Sequence, residues 1–360
     1  MRFALALGER HLGLTWPNPS VGVVVVEIGP EPRILAQGIT QAGGRPHAEV
    51  VALEAVGPAV RGATLYVSLE PCSHHGRTPP CVEAIIQAGV ARVVTALEDP
   101  DPRVSGRGHA LLRQAGVDLV AGVLESEARR AHCGHVMRVT RGRPYVTIKI
   151  ARTTDGFAAR AGGGARLLIT GAEANRRVHL MRAHADAVLV GVATVMADDP
   201  LLTVRLPGLE KRSPVRVVLD SRLRIPLGAR VVADRAVPTW IVTTADAPAE
   251  AEKKLVVAGV QVIRAGSNSE GRVDLADALR LLAAQGITRL FAEAGPMLAD
   301  ALALADLVDD VVVLTSSTGL REPGVAALGP NLESRLERDL VLSGSEQLGA
   351  DRIAFFERAG

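Results

Sequence analysis

Short runs of β-branched and aliphatic residues alternate with stretches of helical periodicity along the whole chain, the pattern of an α/β protein. In the first part, Val21–Glu27, Thr64–Ser68 and Arg92–Ala96 read as buried strands, with helices over His47–Val56, Cys81–Ala88, Arg107–Ala115 and Leu124–Arg138. The phrases QAGVARVV and QAGVDLV place a glycine where a helix stops and a short strand starts. Glycine suits that position because it takes the left-handed conformation freely. The joint returns in VAGVQVI and AQGITRL at no fixed period, so it is a recurring connection and not a repeat.

The pattern breaks at Thr140–Pro144, where TRGRP puts charge, Gly and Pro before the strand Tyr145–Ala151. A domain boundary is expected there, giving domains 1–144 and 145–360. Beyond it, strands are expected near Ala187–Gly191, Val215–Leu219, Thr239–Thr243, Gln261–Arg264, Leu290–Glu293 and Asp310–Thr315. A tail with Asp339–Ser343 and Arg352–Glu357 predicts a sheet of mixed direction near the C-terminus. The glycines at 162–164 suggest a turn, and no G-x-G-x-x-G follows a strand, so that dinucleotide fingerprint is absent.

The length of 360 residues agrees with two domains at roughly 150 residues each. The formal charge is 41 − 39 = +2, without a basic block, which leaves no electrostatic footprint for nucleic acid. Two Trp, two Tyr and five Phe mean that the cores are built from Val, Leu, Ile and Ala, with no base-stacking platform. Apolar runs such as Val21–Val26 are far short of the roughly 18 residues of a membrane span. Three cysteines, Cys72, Cys81 and Cys133, do not make a disulfide framework in a chain of this length. MRFALALGERHLG runs into charge without a cleavable hydrophobic segment, and a reducing, cytoplasmic setting is expected. Cys133, on a helical stretch, reads as a plain buried thiol.

The chemistry lies in PHAEVVALEAV at 46–56 and LEPCSHHGRTPPCVEAI at 69–85. His47 and Glu49 form H-x-E at the start of a helix, and Cys72 and Cys81 each follow a proline. One imidazole and two thiolates supply three zinc ligands and leave the fourth position open to water, as a catalytic site requires. The metal lowers the pKa of that water to about 7. Glu49 is not needed as a ligand and can carry a proton from the water to a leaving amine. The order matches the zinc nucleobase-deaminase signature, except that eight residues separate the two cysteines where the signature has two. The second cysteine is therefore expected at the start of a helix beginning Pro79–Pro80–Cys81, whose N-terminus favours its thiolate. A structural zinc requires a fourth protein ligand, which His74 or His75 would have to supply. Otherwise these histidines and Arg77 are loop residues near the substrate.

Together with WPNPSVG at 16–22 and EDPDPRVSGRG at 98–108, these motifs resemble the bifunctional deaminase/reductase family of riboflavin biosynthesis. The resemblance implies a cytidine-deaminase-like three-layer domain at the N-terminus. It also implies zinc-dependent removal of the 2-amino group from a diaminopyrimidinone ribosylamine 5′-phosphate, with Asn18 against the pyrimidine or its ribose. Read by itself, Asn18 serves equally as a turn residue between two prolines.

The second half by itself gives less. GVATVMADDPLLTVR at 191–205 starts at a strand end, where Gly191 permits close approach of a ligand and Thr194 enters a short helix whose N–H groups suit a phosphate. Asp198 and Asp199 read equally as a solvated helix end. FAEAGPMLADAL at 291–302 has the same form, with Glu293 at the strand end and Gly295 opening the helix. The family resemblance covers nearly the whole chain, including DG at 155–156, LIT at 168–170, LMRAHADAVLVG at 180–191 and VRVVLDS at 215–221. It implies a dihydrofolate-reductase-like α/β domain that uses NADPH. On that resemblance Ala151, Leu168, Thr194, Asp198, Ser221 and the turn Gly295, Pro296, Met297, Leu298, Ala299, Asp300 and Ala301 line the NADPH site. Arg166, Arg182, Leu202, Arg205 and Glu293 line the substrate site, where Arg182 and Arg205 suit a phosphate. Where the family shows S-x-W-I-T, this chain has Arg166, Leu168, Ile169 and Thr170, which removes an aromatic wall and adds a cation. Where it shows A-x-S-x-D-G, Thr153 keeps the hydroxyl.

The expectation is a cytoplasmic two-domain enzyme that deaminates and then reduces a small phosphorylated pyrimidine. Zinc and NADPH are its cofactors; no nucleic-acid or membrane partner is expected, and a homo-oligomer is left open. Two other readings stand beside it. One is a zinc deaminase of another base or nucleotide with a C-terminal binding domain that does not reduce. The other is a non-catalytic zinc-stabilised module whose second half binds a nucleotide. The PCSHHGRTPPC loop argues against the first, and the open zinc position with Glu49 against the second.

Overall fold

The computed structural model describes residues 1–76, 79–162 and 167–358. Arg77, Arg166 and most of the glycine turn at 162–164 lie outside the described residues. The chain divides into two units, Met1–Gly142 and Arg143–Gly360, and the division falls inside TRGRP. No helix among the described residues is long and apolar enough to cross a membrane.

The first unit is built on β1 (Gly22–Glu27), β2 (Arg33–Ile39), β3 (Thr64–Val67), β4 (Arg92–Thr95) and β5 (Asp118–Val120), ordered β2-β1-β3-β4-β5. β1 pairs antiparallel with β2 and β3, whereas β3, β4 and β5 run parallel. Alternation along β1 assigns its two faces. Val23 and Val25 pack with Leu65, Val67 and Val93 and with residues of α2 (Ala48–Val56) and α3 (Cys81–Ala88). Val24 packs on the other face with Ala4 and Leu7 of α1 (Arg2–Glu9). Helices on both faces make three layers.

Two glycines set how closely those helices approach. A Cβ on Gly22 would stand 1.9 Å from the Ala4 carbonyl oxygen, and one on Gly38 would stand 2.0 Å from that of Ala48. Thus α1 crosses β1, and α2 crosses β2, at backbone distance. α4 (Arg107–Gln114) follows β4. The single helix expected over Leu124–Arg138 is two, α5 (Glu125–Ala131) and α6 (Cys133–Arg141). At the joint His132 leaves the helical region (φ −99°, ψ 15°). Its Nε2 lies 3.1 Å from both the carbonyl oxygen and the hydroxyl of Ser68, just past β3. The tie to the sheet overrides helix continuity.

The second unit has a nine-stranded sheet ordered β11-β10-β9-β8-β12-β6-β13-β16-β15. Its strands are β6 (Tyr145–Arg152), β8 (Ala187–Gly191), β9 (Val215–Leu219), β10 (Thr239–Thr244), β11 (Gln261–Ala265), β12 (Arg289–Ala292), β13 (Asp310–Thr315), β15 (Leu340–Leu348) and β16 (Asp351–Arg358). From β11 to β13 they run parallel, while β16 and β15 are antiparallel, the mixed edge expected of the tail. A separate pair, β7 (Phe157–Arg160) with β14 (Gly324–Ala326), was not expected. The helices are α7 (Ala172–Ala183), α8 (Val192–Asp198), α9 (Arg230–Ala233), α10 (Ala249–Val257), α11 (Leu275–Ala284), α12 (Pro296–Leu304) and α13 (Pro330–Arg338). Arg143, the first residue of this unit, is anchored by a bidentate pair with the buried Asp309 (2.6 and 2.8 Å), which also accepts from the Val146 N–H.

The close crossing of α1 gives a direct test. Gly22→Ala forces α1 off β1, an overpacking that costs about 1–3 kcal/mol. Urea unfolding of the full chain should show the first unit losing stability by that amount while the second is unchanged. An unfolding profile identical to wild type would mean that α1 does not depend on the backbone contact.

Candidate active site

Three segments converge in the first unit. His47 precedes α2 in extended conformation, Cys72 follows β3 by way of Leu69–Pro71, and Cys81 opens α3. His47 Nδ1 lies 3.3 Å from Cys81 Sγ and 3.6 Å from Cys72 Sγ. The Cys81 N–H, the first of α3, donates to Cys72 Sγ at 3.3 Å. Hydrogen bonding with the Cys81 thiol, helped by His47 and by that N–H, brings the Cys72 thiol down to about 4. The same shared hydrogen bond and burial push Cys81 up. The first N–H of α3 is thus given to the Cys72 sulfur and not, as expected, to that of Cys81. The reason is directional: the first N–H of a helix points back toward the preceding loop, and the Cys72 sulfur stands in its path.

Among the described residues, no other His, Cys, Asp or Glu joins this group of three donors. His75 lies at the surface beside Glu83 (3.6 Å), and His74 Nδ1 is buried without a partner. One imidazole and two sulfurs, satisfied chiefly by one another, form the donor set that zinc takes with a position left open. Glu49, in the first turn of α2, is 4% exposed and is not one of the three donors. Burial first, and then the Cys72 sulfur, pushes its carboxyl up to about 7, where a group exchanges protons readily at neutral pH. Asn18 donates its side-chain N–H to the Gly44 carbonyl (2.8 Å), holding the turn that leads to His47. The turn reading of Asn18 is thus satisfied in part by its own amide.

Sequence reading passed over a buried polar group behind the cysteines: Glu70, Asp99, His109 and His135. The signal available was an acidic residue between Leu69 and Pro71 at a strand end that is otherwise apolar.

In the second unit the ends of adjacent parallel strands carry the expected residues. β8 ends at Gly191, and Glu293 follows β12, its N–H bonded to the Leu189 carbonyl (2.9 Å). The two glycine turns meet. A Cβ on Gly295 would be 3.8 Å from Thr194 Oγ1, and one on Gly191 would be 3.7 Å from the Leu298 side chain. Gly295 caps α12 and Met297 is exposed beside it. An open helix N-terminus with a neighbouring hydroxyl fits the phosphates of a dinucleotide. Within the same turn, Ala299 is buried, and Asp300 is committed to α13, accepting from the Asn331 and Leu332 N–H groups. Ser221 Oγ accepts from the Val273 N–H (3.0 Å), and Asp198 closes α8. Ala151 packs on the core near the end of β6, and Leu168 is 81% exposed.

Arg182 is buried on α7 and held by Glu293 through two bonds (2.5 and 3.0 Å), with a third to the Thr203 carbonyl (3.0 Å). Its guanidinium is thus matched to a carboxylate, whereas a free phosphate clamp was expected. Arg205 is the exposed cation of the two, and its N–H donates to His179 Nδ1 (3.2 Å). Burial, with Arg182 and Arg205 close by, brings His179 down to about 4, so it stays neutral and can accept that bond. Leu202 is buried in the core with a left-handed backbone (φ 58°).

The matches to known proteins follow this division. The cytidine and deoxycytidylate deaminase zinc-binding region matches residues 1–97, and the RibD C-terminal domain matches residues 144–349. The riboflavin biosynthesis protein RibD of Aquifex aeolicus is 40% identical, over 99% of this chain and 97% of that protein. The chain belongs to the RibD family. The Escherichia coli RibD is 41% identical over 87% of this chain and 85% of its own. Among solved structures, Acinetobacter baumannii RibD (form 1) gives a TM-score of 0.88 at 33% identity, covering 100% of this chain and 98% of that one. A Thermotoga maritima protein described as a diaminohydroxyphosphoribosylaminopyrimidine deaminase/5-amino-6-(5-phosphoribosylamino)uracil reductase gives 0.83 at 31% identity, covering 100% and 97%. As a RibD family member the chain is an enzyme of riboflavin biosynthesis that joins a deaminase to a reductase and acts on a small molecule, with zinc and NADPH as cofactors. Matches running through both units do not favour a deaminase carrying a non-reducing domain, or a structural zinc module.

The Arg182–Glu293 pair predicts its own pH dependence. Burial raises the Glu293 carboxyl, but Arg182, followed by Lys149, outweighs it and holds the group below its ordinary 4.5. The stabilisation is complete above pH 4.5 and is lost as the pH falls through the lower folded value. Arg182→Met leaves the carboxylate buried and unpaired, at a cost of about 3–5 kcal/mol. Urea unfolding at pH 7 should show that loss in the second unit, shrinking as the solution is acidified. Wild-type stability at pH 7 would show that the pair is not needed.

Proposed function

We propose that residues 1–144 remove the 2-amino group from a diaminopyrimidinone ribosylamine 5′-phosphate and that residues 145–360 reduce the ribosyl group of the product to a ribityl. The observation that carries this reading is the His47–Cys72–Cys81 set of three donors, with the buried Glu49 carboxyl poised near neutral pH beside it. The description of the Thermotoga maritima relative supports the choice of substrate. A cytoplasmic setting suits it too, since reducing conditions keep ligand thiols free.

In the first reaction His47, Cys72 and Cys81 would hold zinc, which would supply the Lewis acidity that makes a water nucleophilic near neutral pH. Glu49 takes a proton from the attacking water and returns it to the departing nitrogen. A carbon–nitrogen bond is thereby exchanged for a carbon–oxygen bond, and ammonia leaves. Burial and the Cys72 sulfur, opposed in part by His47, bring the Glu49 carboxyl to about 7, where it can occupy both states in one cycle. Asn18 and the loop histidine His74 lie on the substrate side of this site.

In the second reaction NADPH supplies the reducing equivalent. Its binding residues are Thr194, the α12 N-terminus at Gly295, Pro296, Met297 and Leu298, and their neighbours Ala151, Leu168, Asp198 and Ser221. Ala299, Asp300 and Ala301 follow within α12, where the Ala299 N–H is bonded to the Gly295 carbonyl, and support that N-terminus from behind. Arg205 takes the 5′-phosphate by charge-assisted bonds, with the backbone of Leu202 nearby; Arg166 is assigned to the same site from the sequence alone. Arg182 orients the Glu293 carboxylate toward the sugar hydroxyls. The chain's contribution to this step is positioning.

Two experiments test the halves separately. Glu49→Gln should lower ammonia release by about 10²–10⁴-fold. Zinc should stay near one per chain in that variant, and NADPH oxidation on the deaminated pyrimidine should be intact. Deamination at the normal rate would refute the assignment. Arg205→Gln should raise KM for the deaminated pyrimidine roughly 10–100-fold, the worth of one charge-assisted bond, with ammonia release unchanged. An unaltered KM would remove Arg205 from the phosphate site.

A further inference from the structure

The deamination described above makes no use of Glu70. This side chain is 3% exposed and lies in the Leu69–Cys72 stretch that carries a cysteine away from β3. Its oxygens accept three backbone N–H groups: Oε2 from Asp99 (3.2 Å) and Gly106 (3.0 Å), and Oε1 from His109 (3.1 Å). Gly106 is the last residue of the 96–106 loop that joins β4 to α4, and Asp99 lies on its entering arm, four residues past β4. His109 is the third residue of α4, whose cap, Gly106, has no side chain to offer. One carboxylate therefore closes both stems of the loop and caps the following helix from outside. Gly108 completes the contact: a Cβ there would stand 2.4 Å from the Pro71 carbonyl oxygen and 3.0 Å from Glu70 Oε1. The first turn of α4, into which the loop runs, is docked at backbone distance on the residue that precedes Cys72.

The loop is polar and ordered within itself. The Asp99 carboxylate is held by the Asp101 N–H (2.9 Å) and by His135 Nε2 of α6 (2.8 Å). Arg103 is exposed and forked on Asp101, and Ser105 donates to Glu98. It lies past the C-terminal ends of β3 and β4, adjacent parallel strands, which is where ligands bind in open α/β sheets.

We propose that Glu70 is a positioning residue of the deaminase: it fixes the 99–106 loop against the Cys72 loop, so that the loop forms a substrate-facing wall of the site. The physical basis is that each N–H requires an acceptor. A glutamine in this place turns one acceptor oxygen into a donor that opposes at least one of the three, and the wall must shift. The proposal rests on the reading of this site as a deaminase, which Glu49→Gln tests independently.

The experiment uses the full zinc-loaded chain, with steady-state ammonia release, zinc per chain and NADPH oxidation on the deaminated pyrimidine as readouts. Glu70→Gln and Gly108→Ala should each raise KM for the diaminopyrimidine about tenfold or more. In both, kcat should stay within about threefold, zinc near one per chain, and reduction unchanged. Glu70→Asp keeps both acceptor oxygens and should recover part of the KM. An unchanged KM in both variants, or a fall in kcat that tracks loss of zinc, overturns the proposal. If Glu70→Gln does not fold, Gly108→Ala decides on the same readouts, because it leaves the carboxylate in place and alters only the docking. Failure of Glu49→Gln to stop deamination would instead reject the underlying reading.

Discussion

Ligands from three separate segments can meet only if the elements that carry them approach at backbone distance. In the first unit that approach is made by glycine. Gly38 lets α2 lie on β2, which sets where His47 and Glu49 begin. Gly22 lets α1 cover the opposite face, and Gly108 brings α4 onto the residue before Cys72. At each place a Cβ would fall within 2.4 Å of a carbonyl oxygen, so the contact is with rigid backbone and not with a side chain able to move. The hydrophobic layers of Val23, Val25, Leu65 and Val67 supply the driving force, and the glycines set the distance. With the elements so placed, the imidazole and two sulfurs fall within reach of one ion without any of the three segments touching the others along the sequence.

Buried carboxylates that receive backbone N–H groups recur as fasteners through both units. Glu70 closes the 99–106 loop, Asp186 takes three donors from Thr288 and Arg289, and Asp309 ties Arg143 and Val146 together. The half-buried Asp300 caps α13 in the same way, and the buried Asp351 holds Gly171. A carboxylate offers several lone pairs in a small volume, so one side chain can satisfy two or three orphan N–H groups where loops enter and leave an element. Placed at loop stems, these bonds leave the loop tips to present chemistry while their bases stay fixed.

What was legible in the sequence followed from how local each signal is. Parallel strands buried on both faces leave unbroken β-branched runs, and β8, β9, β10 and β13 were placed to within about a residue for that reason. The zinc donors were legible because H-x-E and two proline-preceded cysteines compress a three-dimensional site into short motifs. Edge strand β2 and the pair β7 and β14 were missed, since half-exposed strands carry no such run. The break at His132 depends on Ser68, 64 residues away, and the burial of Arg182 depends on Glu293, 111 residues away. No periodicity encodes either. The sulfur that receives the first N–H of α3 was hidden for a related reason: it is settled by how the loop after β3 turns back onto that helix.

The two units hold a buried glutamate in opposite ways, and the contrast accounts for the different work proposed for each. Glu49 is buried beside sulfur, so both desolvation and a neighbouring negative charge favour its protonated form. Glu293 is largely covered too, but Arg182 forks onto it and Lys149 lies near, so its charge persists. A carboxyl balanced near neutral pH can give and take a proton within one turnover, whereas one locked to a guanidinium can only orient and attract. Burial alone does not decide between these roles; the sign of the nearest charge does. The deaminase surrounds its glutamate with the His47, Cys72 and Cys81 donors. The reductase needs no proton carrier at that position and spends an arginine on fixing it. Exchanging the two environments would leave each unit with a glutamate in the wrong protonation state for the reaction it serves.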